Sequence, residues 1–335
     1  MKKKISVPVF ILSVSPVFII LALVASIIYG SKSIDLNIIW DAIFNFDPGN
    51  VNHQIIIHSR IPRAIGSLII GAFLAMSGAT MQGMTRNYLA SPTIMGVSDG
   101  SALLITICSI FIPNISSKEQ ILFSFIGSAL GVFIVFGIAS LLPNGLSPVR
   151  LALIGTIIGT FLSGVSAALA NYFQVSQDIS FWYNARLHQL NPSHIKLAVP
   201  IAIVGIFIAI AISGSITILS LGEEIAISLG QNTKATKVVA MAVISILTGT
   251  SVALVGKIGF VGLLVPHIVR FLVGIDYKWI IPCSAVIGGV FLVFCDLLSR
   301  FINYPFETPI GVVTSMIGVP FFLYLTRKKG GGKHA

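Results

Sequence analysis

Charge is scarce in this sequence. Only 10% of its 335 residues are Asp, Glu, Lys or Arg, against about 25% in a soluble globular domain. A chain of this size folded in water needs far more polar surface to cover its core, so a soluble enzyme or soluble binding module is excluded. Cysteine is almost as rare. Cys108, Cys283 and Cys295 are scattered, share no metal-ligand spacing and build no disulfide framework; each reads as a small apolar packing residue. No long polar stretch is present, which leaves no room for a soluble catalytic domain. A GxxxxGK[ST] loop is missing, so ATP is not bound in that way. HExxH, GxSxG and an Asp-rich magnesium cluster are missing too, and an intramembrane enzyme has little to work with. No carboxylate maps to the middle of an apolar segment, where an ion-coupled carrier usually keeps one.

What is there is apolar sequence. Hydrophobic residues make up 55% of the chain and the mean hydropathy is +0.97. A bilayer core needs roughly 20 apolar residues in a helix. Such stretches recur at about 8–29, 62–84, 93–112, 121–142, 150–173, 195–215, 236–255, 259–274, 279–299 and 309–326. The fold class expected is an all-α polytopic membrane protein with about ten transmembrane helices, one integral transmembrane domain over 1–335. The stretch at 259–274 is short for a full span and reads as tilted or partly re-entrant. The MKKK start leads into a run long enough to be a retained first helix rather than a cleaved signal peptide. An even number of spans puts both termini on one side. Lys2, Lys3, Lys4, Arg327, Lys328, Lys329 and Lys333 make that side cytoplasmic, and Arg86, Arg150, Lys234, Lys237, Arg270 and Lys278 fall there too. Topology and anionic membrane lipid account for much of the +10 net charge without any nucleic acid.

The outward charges carry more information. Arg60 and Arg63 head the second helix and Arg300 closes the ninth; Lys32, Lys118, Arg186, Lys196 and Lys257 complete the outer set. Snorkelling to headgroups explains any one of them. Three arginines together point to an acidic docking partner, although Asp296 stands four residues before Arg300 and can pair with it on one helix face. Asp99 falls near the inner end of the third helix, and His267 and Arg270 lie in GFVGLLVPHIVR. Small residues form four-residue ridges at Gly71, Ala75, Ala79 and Gly83, and at Gly155, Gly159, Ser163 and Ala167. Such ridges let helices approach closely, inside the bundle, along a pathway or at a subunit interface. The cytoplasmic connection 221–237 contains EEIAISLG: Glu223 and Glu224 suit a helix N-terminus and Gly230 suits its C-cap. A short amphipathic element there fits a cleft on a soluble partner. A transporter with neither a nucleotide site nor an ion site needs such a partner.

Several segments now resemble one family over nearly the whole chain: RIPR, GATMQGMTRNYLASPTIMGVSDG, SLGEEIAISLG, GKIGFVGLLVPHIVRFLVG and CDLLSRFINYPFETPIGVVTSMIGVPFFLYL. They are similar to the permease subunits of bacterial ABC importers for iron-siderophores, haem and vitamin B12, the FecCD-type or type II importers. The RNYLASPTIMGVSDG and FWYNARLHQL segments look most like Gram-positive permeases for triscatecholate siderophores of the bacillibactin kind. Tyr88 departs from the Pro that many relatives carry after RN, which alters the local turn. The resemblance implies a non-enzymatic transport subunit in the cell membrane, with two ATPase subunits below that hold ATP and magnesium. It further implies a second permease chain, identical or paralogous, and an extracytoplasmic siderophore-binding lipoprotein. Arg60, Arg63 and Arg300 would meet glutamates of the binding protein. Glu223, Glu224, Ala226, Leu229 and Gly230 would sit in the ATPase cleft. Asn144, Gly145, Leu146 and Ser147 would form the cytoplasmic gate. Gly155, Gly159, Ser163, Asn171, Thr314 and Ser315, on the fifth and tenth helices, would line the pathway. The permease itself would hold no cofactor and no metal. A haem or cobalamin importer of the same family is the alternative cargo reading; an ion-coupled secondary carrier is the alternative class.

Overall fold

The computed structural model describes residues 6–30, 34–112, 115–143, 145–183, 187–190, 192–304 and 306–330. Apolar sequence that must satisfy its backbone groups internally folds as helix, and the described residues contain no strand. The principal helices are α1 (Val7–Ile28), α2 (Ile61–Thr85), α3 (Val97–Phe111), α4 (Ser117–Leu141), α5 (Pro148–Tyr172), α6 (Pro192–Ala211), α7 (Thr233–Val255), α8 (Val261–Val273), α9 (Tyr277–Ser299) and α10 (Ile310–Gly330). Each coincides with one of the apolar stretches. Among the described residues, seven helices are long and apolar enough to cross a membrane; α3, α8 and α10 are shorter in apolar length. Below, the end that carries residues 221–237 is called inner, following the bias of the basic residues.

Helix α2 is the axis of the bundle. It is buried along most of its length, and α7, α8 and α9 pack around it. Its ridge does what small-residue ridges do inside bundles: a Cβ on Gly71 would lie 2.3 Å from the Gly288 carbonyl oxygen of α9. Helix α1 lies at the edge against α9, with most of its side chains open to the surroundings.

Two helices begin inside the bundle. The apolar stretch expected as helix from 93 starts instead with a 3-10 turn, Pro92–Met95, and a left-handed Gly96; α3 follows only at Val97. Ala90, Met95 and Val97 are fully buried, so this non-helical backbone re-enters the protein before the helix starts. Helix α8 does the same after Phe260, which has φ +66°, and its 13 residues span only about 20 Å at 1.5 Å per residue. The short, re-entrant reading of 259–274 agrees with this geometry.

Short helices were not separately expected. Leu36–Phe44 and Val51–Ile55 follow α1, and a π-helical stretch, Ile56–Arg60, runs directly into α2. Ser176–Tyr183 follows α5. The 195–215 stretch breaks after Ala211, and Ser213–Leu221 leads to the inner helix Glu223–Ser228.

Candidate functional site

The three outer arginines come together, but they point inward. Arg60, Arg63 and Arg300 are only 7%, 7% and 5% exposed. Arg60 donates from Nη1 to the carbonyls of Ile27 (2.6 Å) and Ile28 (2.9 Å). Arg300 donates to the carbonyls of Ser26 (2.7 Å) and Tyr29 (2.9 Å) and to Ser26 Oγ (3.1 Å). These are the orphan carbonyls at the negative end of α1, where cations are favoured. Arg63 forks onto Asp296, with Nε and Nη2 at 2.9 and 2.8 Å from Oδ1, and its Nη1 meets Glu307 Oε1 at 2.7 Å. Asp296, fully buried, also pairs with Arg300. Burial alone would raise the Glu307 carboxyl, but the hydrogen bond and charge of Arg63 outweigh it and hold the group below the usual carboxylate range. The three guanidinium groups expected to meet a partner are thus also bonded within the chain, the Asp296–Arg300 pair as the spacing indicated. The sequence indicated the Asp296–Arg300 spacing, but neither the Arg63–Asp296 fork nor the α1 carbonyls could be read from spacing, because they join segments far apart in the chain.

The inner end is built the other way round. Glu223–Ser228 stands on Ala226, fully buried, and exposes Ile225 (48%), Ile227 (59%) and Leu229 (65%). Gly230 has φ +78°. Its N–H donates to the Ile227 carbonyl and that of Gln231 to Ala226, the paired bonds of a Schellman cap. Glu224 is exposed. Glu223 is anchored: Lys237 Nζ lies 2.8 Å from its Oε1 and Thr233 Oγ1 donates to it at 3.2 Å. Burial raises the Glu223 carboxyl, but these bonds and the Lys237 charge prevail and its pKa is lowered. Lys237, 6% exposed, also donates to the Leu146 carbonyl at 3.4 Å. One buried ammonium thus touches both the inner helix and the loop before α5. Ile225, Ile227 and Lys237 were missed as site residues, although the alternation of apolar positions in EEIAISL signals the first two.

The loop itself is tight. Gly145 is buried, and a Cβ on it would lie 2.0 Å from the Ala139 carbonyl oxygen. Leu146 and Ser147 are half-buried; Asn144 lies outside the described residues. Elsewhere, the Arg270 guanidinium lies 3.8 Å from the centre of the Tyr88 ring and donates to Tyr277 Oη. The residue that departs from the family pattern is thus a stacking partner for a cation.

The expected lining residues separate into two groups. Ser163 and Asn171 face a cavity of about 360 Å³. Gly155 and Gly159 are buried in the bundle instead, because α5 packs this ridge against α3. Thr314 is fully buried, and both it and Ser315 donate to the Gly311 carbonyl, the usual satisfaction of hydroxyls within apolar helices. The open faces of these helices carry large apolar side chains, Leu153, Ile157 and Phe161 on α5 and Val312, Met316 and Leu323 on α10, with Thr156 and Thr160 among those of α5. The cavity also brings together two groups the sequence kept apart. Asp99 accepts a hydrogen bond from Ser163 Oγ at 2.9 Å, past the middle of α5, and Lys257 Nζ lies 4.0 Å from Asp99 Oδ1. Asp99 stands in the first turn of α3, at the inner end of that helix as expected, and because α3 starts inside the bundle its carboxylate meets Lys257 across the cavity. Among the described residues no group of three His, Cys, Asp or Glu is placed to hold a metal, and the three cysteines are buried and free.

A family model described as the FecCD transport family matches residues 18–328. The iron-uptake system permease protein FeuB of Bacillus subtilis is 61% identical over 321 residues, 96% of each chain. The iron(3+)-hydroxamate import permease FhuB of the same species is 50% identical, over 92% of this chain and 80% of that one. The ferric enterobactin permease FepD of Escherichia coli is 32% identical over 94% of both. Among solved structures, an inward-facing ABC transporter of metal-chelate type matches with a TM-score of 0.82 and 27% identity, over 96% of this chain and 99% of that one.

Proposed function

This chain belongs to the FecCD transport family, and we propose that it works as the permease subunit of an ATP-driven importer that carries ferric siderophores, of the triscatecholate class, into the cell. It is an integral, multi-pass membrane protein and a transport component, not an enzyme. The observation that carries the iron cargo is the 61% identity to an iron-uptake permease along nearly the whole chain.

The inner helix Glu223–Ser228 supports the ATP-driven half of the reading. Its exposed Ile225, Ile227 and Leu229 offer an apolar patch for a soluble ATPase dimer, which would hold ATP and magnesium. Lys237 then relays the position of that helix to the gate loop through Glu223 and the Leu146 carbonyl. At the other end, an extracytoplasmic binding lipoprotein would dock over the arginine cluster. Its carboxylates would compete with Glu307, 39% exposed, for Arg63, rather than meet unpaired arginines. A second permease chain would cover the apolar faces of α5 and α10.

One observation favours the rival class. Asp99 is a carboxylate well inside the bundle, of the kind an ion-coupled carrier uses. Uptake of a ⁵⁵Fe-labelled ferric triscatecholate into cells separates the two. Deleting the partner ATPase should abolish it, and an uncoupler with ATP held constant should not. Normal uptake without the ATPase refutes the importer reading. Uptake of haem or cobalamin alone, from a panel that includes the siderophore, refutes the cargo.

A further inference from the structure

The Arg63–Asp296 and Asp99–Lys257 pairs have opposite characters. In the first, the side chains are 9% and 0% exposed and 2.8 Å apart, a closed structural pair. In the second they are 47% (Lys257) and 15% (Asp99) exposed and 4.0 Å apart, beyond hydrogen-bond reach. Lys257 makes no hydrogen bond among the described residues. Its three N–H donors stand in the cavity, next to a carboxylate that stabilises their charge without consuming them.

The carboxylate is built in. Ser163 donates to Asp99 Oδ1. A Cβ on Gly159 would come within 2.6 Å of Oδ2, so the glycine of the α5 ridge leaves the space the second oxygen occupies. Asp99 also lies in the first turn of α3, where the helix dipole favours an anion. Around the pair, Asn171, Ser176 and Ser180 add polar groups to the wall. Asn171 lies near the outer end of α5 and Ser163 past its middle, so the cavity runs from the outer end of the bundle inward.

We propose that this cavity is a binding site for the anionic oxygens of an iron chelate in transit, with the Lys257 ammonium as the group that contacts them and Asp99 as the residue that positions it. This rests on the importer reading above and specifies where the cargo is held. A ferric triscatecholate bears several negative charges on its oxygens. An ammonium with free donors in a half-enclosed cavity forms charge-assisted hydrogen bonds to such atoms. The adjacent carboxylate limits how tightly an anion is held, as release onward requires.

The test uses the complete complex of permease, ATPase and binding protein in proteoliposomes, with uptake of a ⁵⁵Fe-labelled ferric triscatecholate at saturating loaded binding protein. Lys257→Gln should lower uptake about tenfold or more, the order of one lost charge-assisted contact. Lys257→Arg should restore most of it. Exchanging the two charges, Asp99→Lys with Lys257→Asp, separates a ligand-binding cation from a structural pair, because a structural pair survives exchange. The exchanged protein should melt close to wild type and yet fail to transport. Wild-type uptake by Lys257→Gln, or by the exchanged variant, overturns the proposal and leaves the importer reading intact. If the exchanged variant does not fold, Lys257→Gln against Lys257→Arg decides alone. A wild-type complex that takes up no ferric chelate overturns both.

Discussion

The two ends of the molecule solve opposite problems with the same few residue types. At the outer end Arg60, Arg63 and Arg300 are buried and bonded to Asp296, Glu307 and the last carbonyls of α1. Their charge is used to fasten α1 and α9 onto α2. At the inner end, among the described residues, Glu223 and Lys237 form such a pair, and it serves to brace a small helix whose apolar side chains stay open. A charge at a helix end is thus a poor guide to a partner surface, because it is the group most readily satisfied from within. An exposed apolar side chain on a soluble face has no such internal use.

The largest effect should separate the ends most clearly. Asp296→Ala leaves the Arg63 and Arg300 charges buried without their shared carboxylate, a change worth about 3–5 kcal/mol. The purified permease should lose that much stability in a thermal or denaturant unfolding series in detergent. A loss below about 1 kcal/mol would mean that the outer cluster is no drier than the inner pair, and the contrast would fail.

Replacing Ile225, Ile227 and Leu229 together with Ser should do the reverse. The melting of the isolated permease should stay near wild type, since all three are exposed. Capture of the ATPase should fall by about two orders of magnitude or more, as full burial of even one such side chain is worth about 1.5–3 kcal/mol. Retained capture in a pull-down would remove the inner helix as the contact surface.

Gly230→Val sharpens the same point with a smaller change. Nothing lies within 4 Å of a Cβ there, so the cost comes from the positive φ alone, about 1–2 kcal/mol. The frayed Schellman cap should lower ATP-dependent uptake while membrane levels of the permease hold. Normal uptake would show that the cap is not needed for coupling.

The smallest effect is a pH dependence at the inner pair. The folded pKa of Glu223 is depressed, so its contribution is present above the ordinary carboxylate pKa and disappears as pH falls through the folded value. Glu223→Gln should therefore be less stable than wild type at neutral pH, and the gap should close below about pH 4. The group is part-exposed, so the gap is small. A gap independent of pH would assign the loss to shape rather than charge.

Much of the architecture was legible in the residues because it is one-dimensional. Lipid demands runs of apolar residues, and every stretch found that way holds a helix. The Schellman glycine, the Asp296–Arg300 spacing and the packing ridge at Gly71 are local patterns of the same kind. Less was legible where segments distant in sequence meet. The outer arginines read as a docking set, and only packing reveals that α1 supplies carbonyls to Arg60 and Arg300. Asp99 reads as a charge near the inner end of its helix, and only the buried turn before Val97 sets that start beside Ser163. Gly155, Gly159 and Thr314 leave lining and packing both open in the sequence, and the structure shows packing against α3 for the glycines and a bond to the Gly311 carbonyl for Thr314.

The sequence alone therefore determined that this is a helical, multi-pass membrane protein, with no nucleotide loop of the GxxxxGK[ST] kind and a small inner helix suited to a soluble partner. Those features follow from composition, run length and spacing along one segment. Only the tertiary structure decided which charges are spent internally and which remain available, because pairing energy depends on distance and burial, and both are set by helices that sequence order does not place side by side.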